Sequence, residues 1–214
     1  MLISEMFLLM LLDGRKGKIF SRGRATKDLG LAGAMILDLY LRGNLSIYWK
    51  NSKILDYHPS GFPYLDEILV FLYRSKRPVK LKTWLSRISH FYKQFSQGIF
   101  QQLKNQGILI SDFKARRYYL TKPEVKDSLL EEISNAIINN TKPGIELLCL
   151  LSVMKACTLI KVYFIKKYRT YIERRIKELL YSPYYAPETR EMIFMVIKAI
   201  KDIIRARYAA WIGF

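Results

Sequence analysis

Six cations crowd the thirteen residues from Arg15 to Lys27: Arg15, Lys16, Lys18, Arg22, Arg24 and Lys27. No carboxylate stands among them, and Asp28 follows directly. Lys and Arg donate charge-assisted hydrogen bonds to phosphate and carboxylate oxygens, so this density suits an anion site. A solvated loop explains it equally well, and both readings stay open. A second basic group, Lys114, Arg116 and Arg117 beside Tyr118, occupies a turn between two apolar runs. Other chemistry finds no support in the spacing. The two histidines, His58 and His90, stand far apart, and no run has the spacing of a zinc site, a nucleophile elbow or a dinucleotide fingerprint. The turn Asp13-Gly14-Arg15-Lys16-Gly17 lacks the Ser or Thr of a phosphate loop. Clustered acids such as Asp66-Glu67 and Glu131-Glu132 are neighbours, and neighbours on a helix face different sides. The expectation is a protein that is not an enzyme and uses no metal or cofactor.

The elements that must position these cations are helical. Leu29 to Leu45 reads LGLAGAMILDLYLRGNL. Gly30, Ala32, Gly33 and Ala34 permit close backbone approach, and the larger residues are apolar nearly all round, which marks a buried helix. It is too short to span a bilayer, which needs roughly 20 apolar residues, and Asp38 interrupts it. Thr26 or Asp28 is expected to cap its start, and Arg42-Gly43-Asn44 to stop it. Lys18-Ile19-Phe20 reads as a short strand, and Leu45–Trp49 with Lys53–Leu55 as a hairpin. Amphipathic helices follow at Leu65–Tyr73 and around Leu81, Trp84, Leu85 and Ile88. Phe95, Ile99, Phe100 and Leu103 line a further helix that ends at Asn105-Gln106-Gly107. Strands Ile108–Ile110 and Tyr118–Leu120 flank the basic turn. The most apolar run, Ile145 to Phe164, contains Lys155; a lysine at bilayer centre costs roughly 2.5–3.5 kcal/mol, so one buried core helix is predicted there.

Leu8, Leu9, Leu12, Asp13 and Gly17, then GLAGA, an acidic residue and LRG, resemble the signature of the Golgi phosphoprotein 3 family. The resemblance continues through Leu65-Asp66-Glu67, Trp84-Leu85, Gln106-Gly107-Ile108-Leu109 and the helix around Ala156, and so covers most of the chain. It implies one mainly all-α domain over residues 1–214, a compact multi-helix body around a buried apolar helix with one or two small hairpins. It also implies a cytoplasmic, peripherally membrane-associated protein that grips a phosphoinositide headgroup and holds cytosolic tails of membrane proteins.

In that family the headgroup pocket uses a Trp in the basic loop, an Arg beside the start of the central helix, and two basic residues on the helix before the hairpin. Those positions fall here near Arg22-Gly23, on Ala32, and on Lys93 and Ser96. The lipid-binding cations implied are therefore Arg22, Arg24, Lys27 and Lys93, serving anionic lipids generally. The matching hairpin, with Lys114, Arg116, Arg117 and Tyr118, is implied to contact a second copy in a homo-oligomer. An alternative comes from the residues themselves: helix, Gly turn, strand and basic hairpin over Phe91–Leu120 form half of a winged helix. Gln94, Gln97, Gln101 and Gln102 would then read a groove, and Arg116 and Arg117 would enter a minor groove of nucleic acid.

At 214 residues, half of them hydrophobic, the chain suffices for a substantial core. Its formal charge of +18 is relieved by an acidic partner, either an anionic membrane or nucleic acid. A solvated basic surface of a heat-adapted protein is the bland alternative. Cys149 and Cys157 stand eight positions apart on one predicted helix, about 12 Å along its axis and beyond disulfide reach, so core thiols in a reducing compartment are expected. The N-terminal apolar run lacks a preceding basic region and ends at Asp13, so no cleaved signal peptide is expected.

Overall fold

The computed structural model describes residues 1–14, 16–20, 26–48, 51–54, 58–74, 79–112 and 117–212. Ten helices dominate the described chain, with three two-stranded antiparallel sheets at its surface. Helix α1 (Ile3–Leu11) is buried at all nine positions, including Ser4 and Glu5. It leads into the strand pair β1 (Leu12–Asp13) and β2 (Lys18–Ile19), turned at Gly17 with φ +63°. Helix α2 (Lys27–Leu41) is buried from Leu29 to Leu39. Its glycines explain how: a Cβ on Gly30 would overlap Phe7 Cζ of α1, and one on Gly33 would lie 2.6 Å from Ile200 Cδ1. A backbone without side chains at these points lets large apolar groups seat directly on it.

Neither expected residue caps α2 with its side chain. The Thr26 hydroxyl instead donates to the Cys157 carbonyl at 3.0 Å, and the Cys157 thiol donates back to the Thr26 carbonyl at 3.7 Å. A tertiary partner has outcompeted the local one. The C-terminus of α2 behaves as its residues foretell: Gly43 adopts φ +75° and the Asn44 amide donates to the Leu39 carbonyl at 3.0 Å.

The hairpin β3 (Leu45–Tyr48) and β4 (Asn51–Ile54) follows, with Leu45 paired to Ile54. Helices α3 (Pro63–Tyr73), α4 (Leu81–His90) and α5 (Tyr92–Asn105) come next, and Gly107 at φ +66° turns the chain into β5 (Leu109–Asp112) and β6 (Arg117–Leu120). Helices α6 (Pro123–Ile138), α7 (Ile145–Ala156), α8 (Ile160–Tyr163), α9 (Arg169–Tyr181) and α10 (Pro187–Ile212) complete the fold. One hydrophobic cluster reaches from Ile3 to Ile203, with α2 packed against α1, α4, α7 and α10.

The run Ile145–Phe164 is not one helix. Cys157 closes α7, Thr158 turns left-handed at φ +59°, and α8 starts two residues later. The mutual hydrogen bonds of Cys157 and Thr26 hold the break in place. Cys149 and Cys157 are both buried and unbridged. Burial raises both thiols, that of Cys157 to about 12. Among the described residues no helix is long and apolar enough to cross a membrane.

Candidate anion-binding pole

Four chain segments meet at one end of α2. Thr26, its N-cap, rests on Cys157 at the end of α7. Lys27, its first residue, places Nζ 4.8 Å from the centroid of the Tyr92 ring, which opens α5. Met10, near the end of α1, accepts a 2.6 Å hydrogen bond from the Tyr163 hydroxyl of α8. Two long helices thus start side by side, and their N-terminal amides add positive potential to that of their side chains.

Lys93 follows Tyr92 on α5 and is exposed. The contact between Lys27 and Tyr92 therefore brings α2 to within one residue of Lys93 along α5. Burial raises the Tyr92 hydroxyl above its usual range, against the lowering influence of the Ser96 side chain, with Asp28 adding a smaller upward push. A neutral phenol ring under Lys27 holds its ammonium by cation–π attraction while leaving its charge unspent.

A third cation comes from α10. Arg207 Nη1 lies 2.8 Å from Asp28 Oδ2, and its Nη2 donates to Ser89 Oγ at 3.2 Å. Arg207 thus pairs with the carboxylate of the residue that follows Lys27. Sequence reasoning missed Arg207 because 179 residues separate it from Asp28 and no local pattern marks it.

The remaining expected residues divide as follows. Arg22 and Arg24 lie outside the described residues; before them Phe20 packs edge-on to Tyr163 at 5.9 Å between ring centroids, and after them Thr26 binds Cys157. Ala32 is fully buried, and Ser96 is buried with its hydroxyl donating to the Lys93 carbonyl at 3.1 Å. Lys114 and Arg116 also lie outside the described residues. Tyr118 stacks on Phe100 with centroids 3.7 Å apart, and its amide donates to the Gly17 carbonyl at 2.9 Å, so β6 is fastened to the body on one side. Arg117 Nη1 reaches the Tyr119 hydroxyl at 3.4 Å.

Lys126 is an unexpected cation in the interior. It donates to the Leu12 carbonyl at the end of α1, and its Nζ lies 5.4 Å from the Phe20 ring centroid and 5.6 Å from that of Tyr163. Burial lowers it to about 8, against the upward influence of Asp13 and Asp127. A cleft of about 580 Å³ beside Met1 and Met6 lies against the first turn of α7, the end remote from Cys157, and carries Glu124, Glu132 and Glu146 instead of cations. No group of three or more His, Cys, Asp or Glu suited to a metal exists among the described residues.

The chain is a helical body packed around a central helix that is buried from Leu29 to Leu39. The family model for Golgi phosphoprotein 3 (GPP34) matches residues 3–196, and the chain belongs to that family. That family is a non-enzymatic family of lipid-binding adaptors. No curated protein matches the chain. Arg207 lies beyond the matched region, on the last turns of α10.

Proposed function

We propose that this chain is a cytoplasmic, peripheral membrane protein that engages phosphate-bearing lipid headgroups through Lys27, Lys93 and Arg207, together with Arg22 and Arg24 of the loop between Phe20 and Thr26, and serves as an adaptor for cytosolic tails of membrane proteins. The observation that carries this reading is Lys27 seated on the Tyr92 ring, which sets the first turns of α2 and α5 side by side. A phosphate before these turns receives ammonium charge and helix-dipole potential together. Each such cation contributes about 1 kcal/mol near an anionic surface. Because Ala32 and Ser96 are interior, the cluster recognises charge more than the pattern of phosphates on one headgroup.

Co-flotation with vesicles tests the proposal. Phosphatidylcholine vesicles, the same with phosphatidylserine, and the same with phosphatidylinositol 4-phosphate at matched charge are compared across a salt series, beside duplex DNA. The expected result is association with both anionic vesicles, weakening steeply with salt and with little preference between them. Tighter binding to DNA than to either vesicle would move the reading to the nucleic-acid alternative.

A further inference from the structure

The segment between α8 and α9 has no part in the cation cluster, yet it is built in an unusual way. Lys166–Tyr168 forms one 3-10 turn in which no residue is buried. The Tyr168 amide donates to the Ile165 carbonyl at 3.1 Å, closing the turn. Ile165 leads into the turn and Tyr168 ends it, and they are 65% and 51% exposed. Lys166 and Lys167 lie between them, also exposed, and Lys167 Nζ lies 5.8 Å from the Tyr168 ring centroid.

The turn is held stiffly. Arg169 donates from Nε to the Phe164 carbonyl and from Nη2 to the Lys161 carbonyl, each at 3.2 Å. An arginine thus ties the segment before the turn to the helix after it. A single exposed apolar side chain on a soluble protein carries no meaning. Two that bracket a braced turn and its two exposed ammonium groups are a different matter.

We propose that the Ile165–Tyr168 turn is an interfacial anchor that inserts Ile165 and Tyr168 among the headgroups of an anionic bilayer, a surface separate from the Lys27–Lys93–Arg207 cluster. The inference rests on the membrane reading above. Charge complementarity selects a bilayer as the occupant. From Leu147 to Ile172 the chain has no carboxylate and five cations: Lys155, Lys161, Lys166, Lys167 and Arg169. Isoleucine seeks the acyl boundary, tyrosine prefers the headgroup level, and lysines beside them reach back to the phosphates. Position agrees with this. Ile165 lies two residues beyond Tyr163, whose ring meets Phe20 and whose hydroxyl binds Met10 at the same end of α1 and α2 as the cation cluster.

Because both native thiols are buried, Ile165→Cys provides the one reactive position for an environment-sensitive fluorophore. Tyr181→Cys, exposed at the far end of α9, is the matching control. With phosphatidylcholine–phosphatidylserine vesicles, the label at 165 is expected to shift to the blue and be quenched by spin-labelled lipid, while the label at 181 does neither. Independently, the charge-neutral Ile165→Ser/Tyr168→Ser variant should partition on the order of tenfold more weakly and lose the portion of binding that survives 0.5 M salt. If the unmodified protein binds but the 165 label stays wet and the double variant binds equally, the anchor is rejected and the headgroup reading survives. If the unmodified protein does not bind the vesicles at all, both are rejected together.

Discussion

Asp38 Oδ2 accepts the amide of Ser4 at 3.0 Å across 34 residues of chain, while Oδ1 accepts the Ile3 amide at 2.7 Å. A carboxyl on α2 thus satisfies two of the amides that open α1, where the helix dipole favours negative charge. The Ser4 hydroxyl continues the network to the Tyr64 hydroxyl at 3.1 Å.

Burial raises the Asp38 carboxyl to about 7, against the opposing hydrogen bonds from Ser4 and Ile3. The folded chain then keeps this proton to about pH 7, whereas the unfolded chain releases it near 3.8. The contribution is full below the lower value and is lost as pH rises through the upper one. Urea midpoints between pH 4.5 and 7.5 should therefore fall for the native sequence relative to Asp38→Asn. Parallel curves for the two proteins would show that Asp38 is ionised throughout.

Lys126 should give the opposite slope at higher pH. Burial lowers it to about 8 from 10.5, so the folded state releases its proton first. Stability from this group is present above 10.5 and lost as pH falls through 8. Lys126→Met should abolish the rise in midpoint between those values, measured as the difference from the native sequence at each pH. An unchanged difference would place the ammonium in contact with water.

The Gly30 notch predicts a contrast. Gly30→Ala forces a methyl into Phe7 and to 2.8 Å from Cys157 Sγ, both immovable in the core. Gly33→Ala meets the end of the Ile200 side chain, which can rotate away. The first should cost about 1–3 kcal/mol and the second clearly less, read from denaturant midpoints. Equal costs would mean that α1 can withdraw from α2.

The pole itself is tested by position at constant charge. Replacing Lys27, Lys93 and Arg207 by Gln should weaken vesicle partitioning roughly tenfold more than replacing Lys82, Arg174 and Lys177, although each set removes three cations. Far-ultraviolet circular dichroism checks that both variants fold. Equal losses would leave only diffuse attraction to the surface.

Much of the architecture was legible because its signals are local. Gly43 and Gly107 mark the ends of α2 and α5, and the apolar surround of Leu29–Leu39 marks a buried helix. The hairpin after α2 showed through its alternation. The break at Thr158 escaped because an apolar run carries no mark where a distant hydroxyl, that of Thr26, claims its backbone. Of the pole, Lys27 stood in the crowd of cations from Arg15 to Lys27, Lys93 came from resemblance and Arg207 from nothing in the sequence. Lys126 and Asp38 escaped for the same reason: each serves a helix end that is remote in the chain.

Helices apolar on every side have a particular difficulty, since nothing in greasy contact alone prevents one from sliding along the other by a turn, about 5.4 Å. Phe7 in the Gly30 notch and Ser4 on Asp38 are two fixed points along a single pair of helices. Two points determine both the offset and the direction of α1. A slip by one turn would carry the phenyl ring onto a residue with a Cβ and strip the amides of their acceptor at the same moment. The pairing therefore selects one register and makes every neighbouring one unfavourable, which gives this core a unique arrangement as well as a stable one.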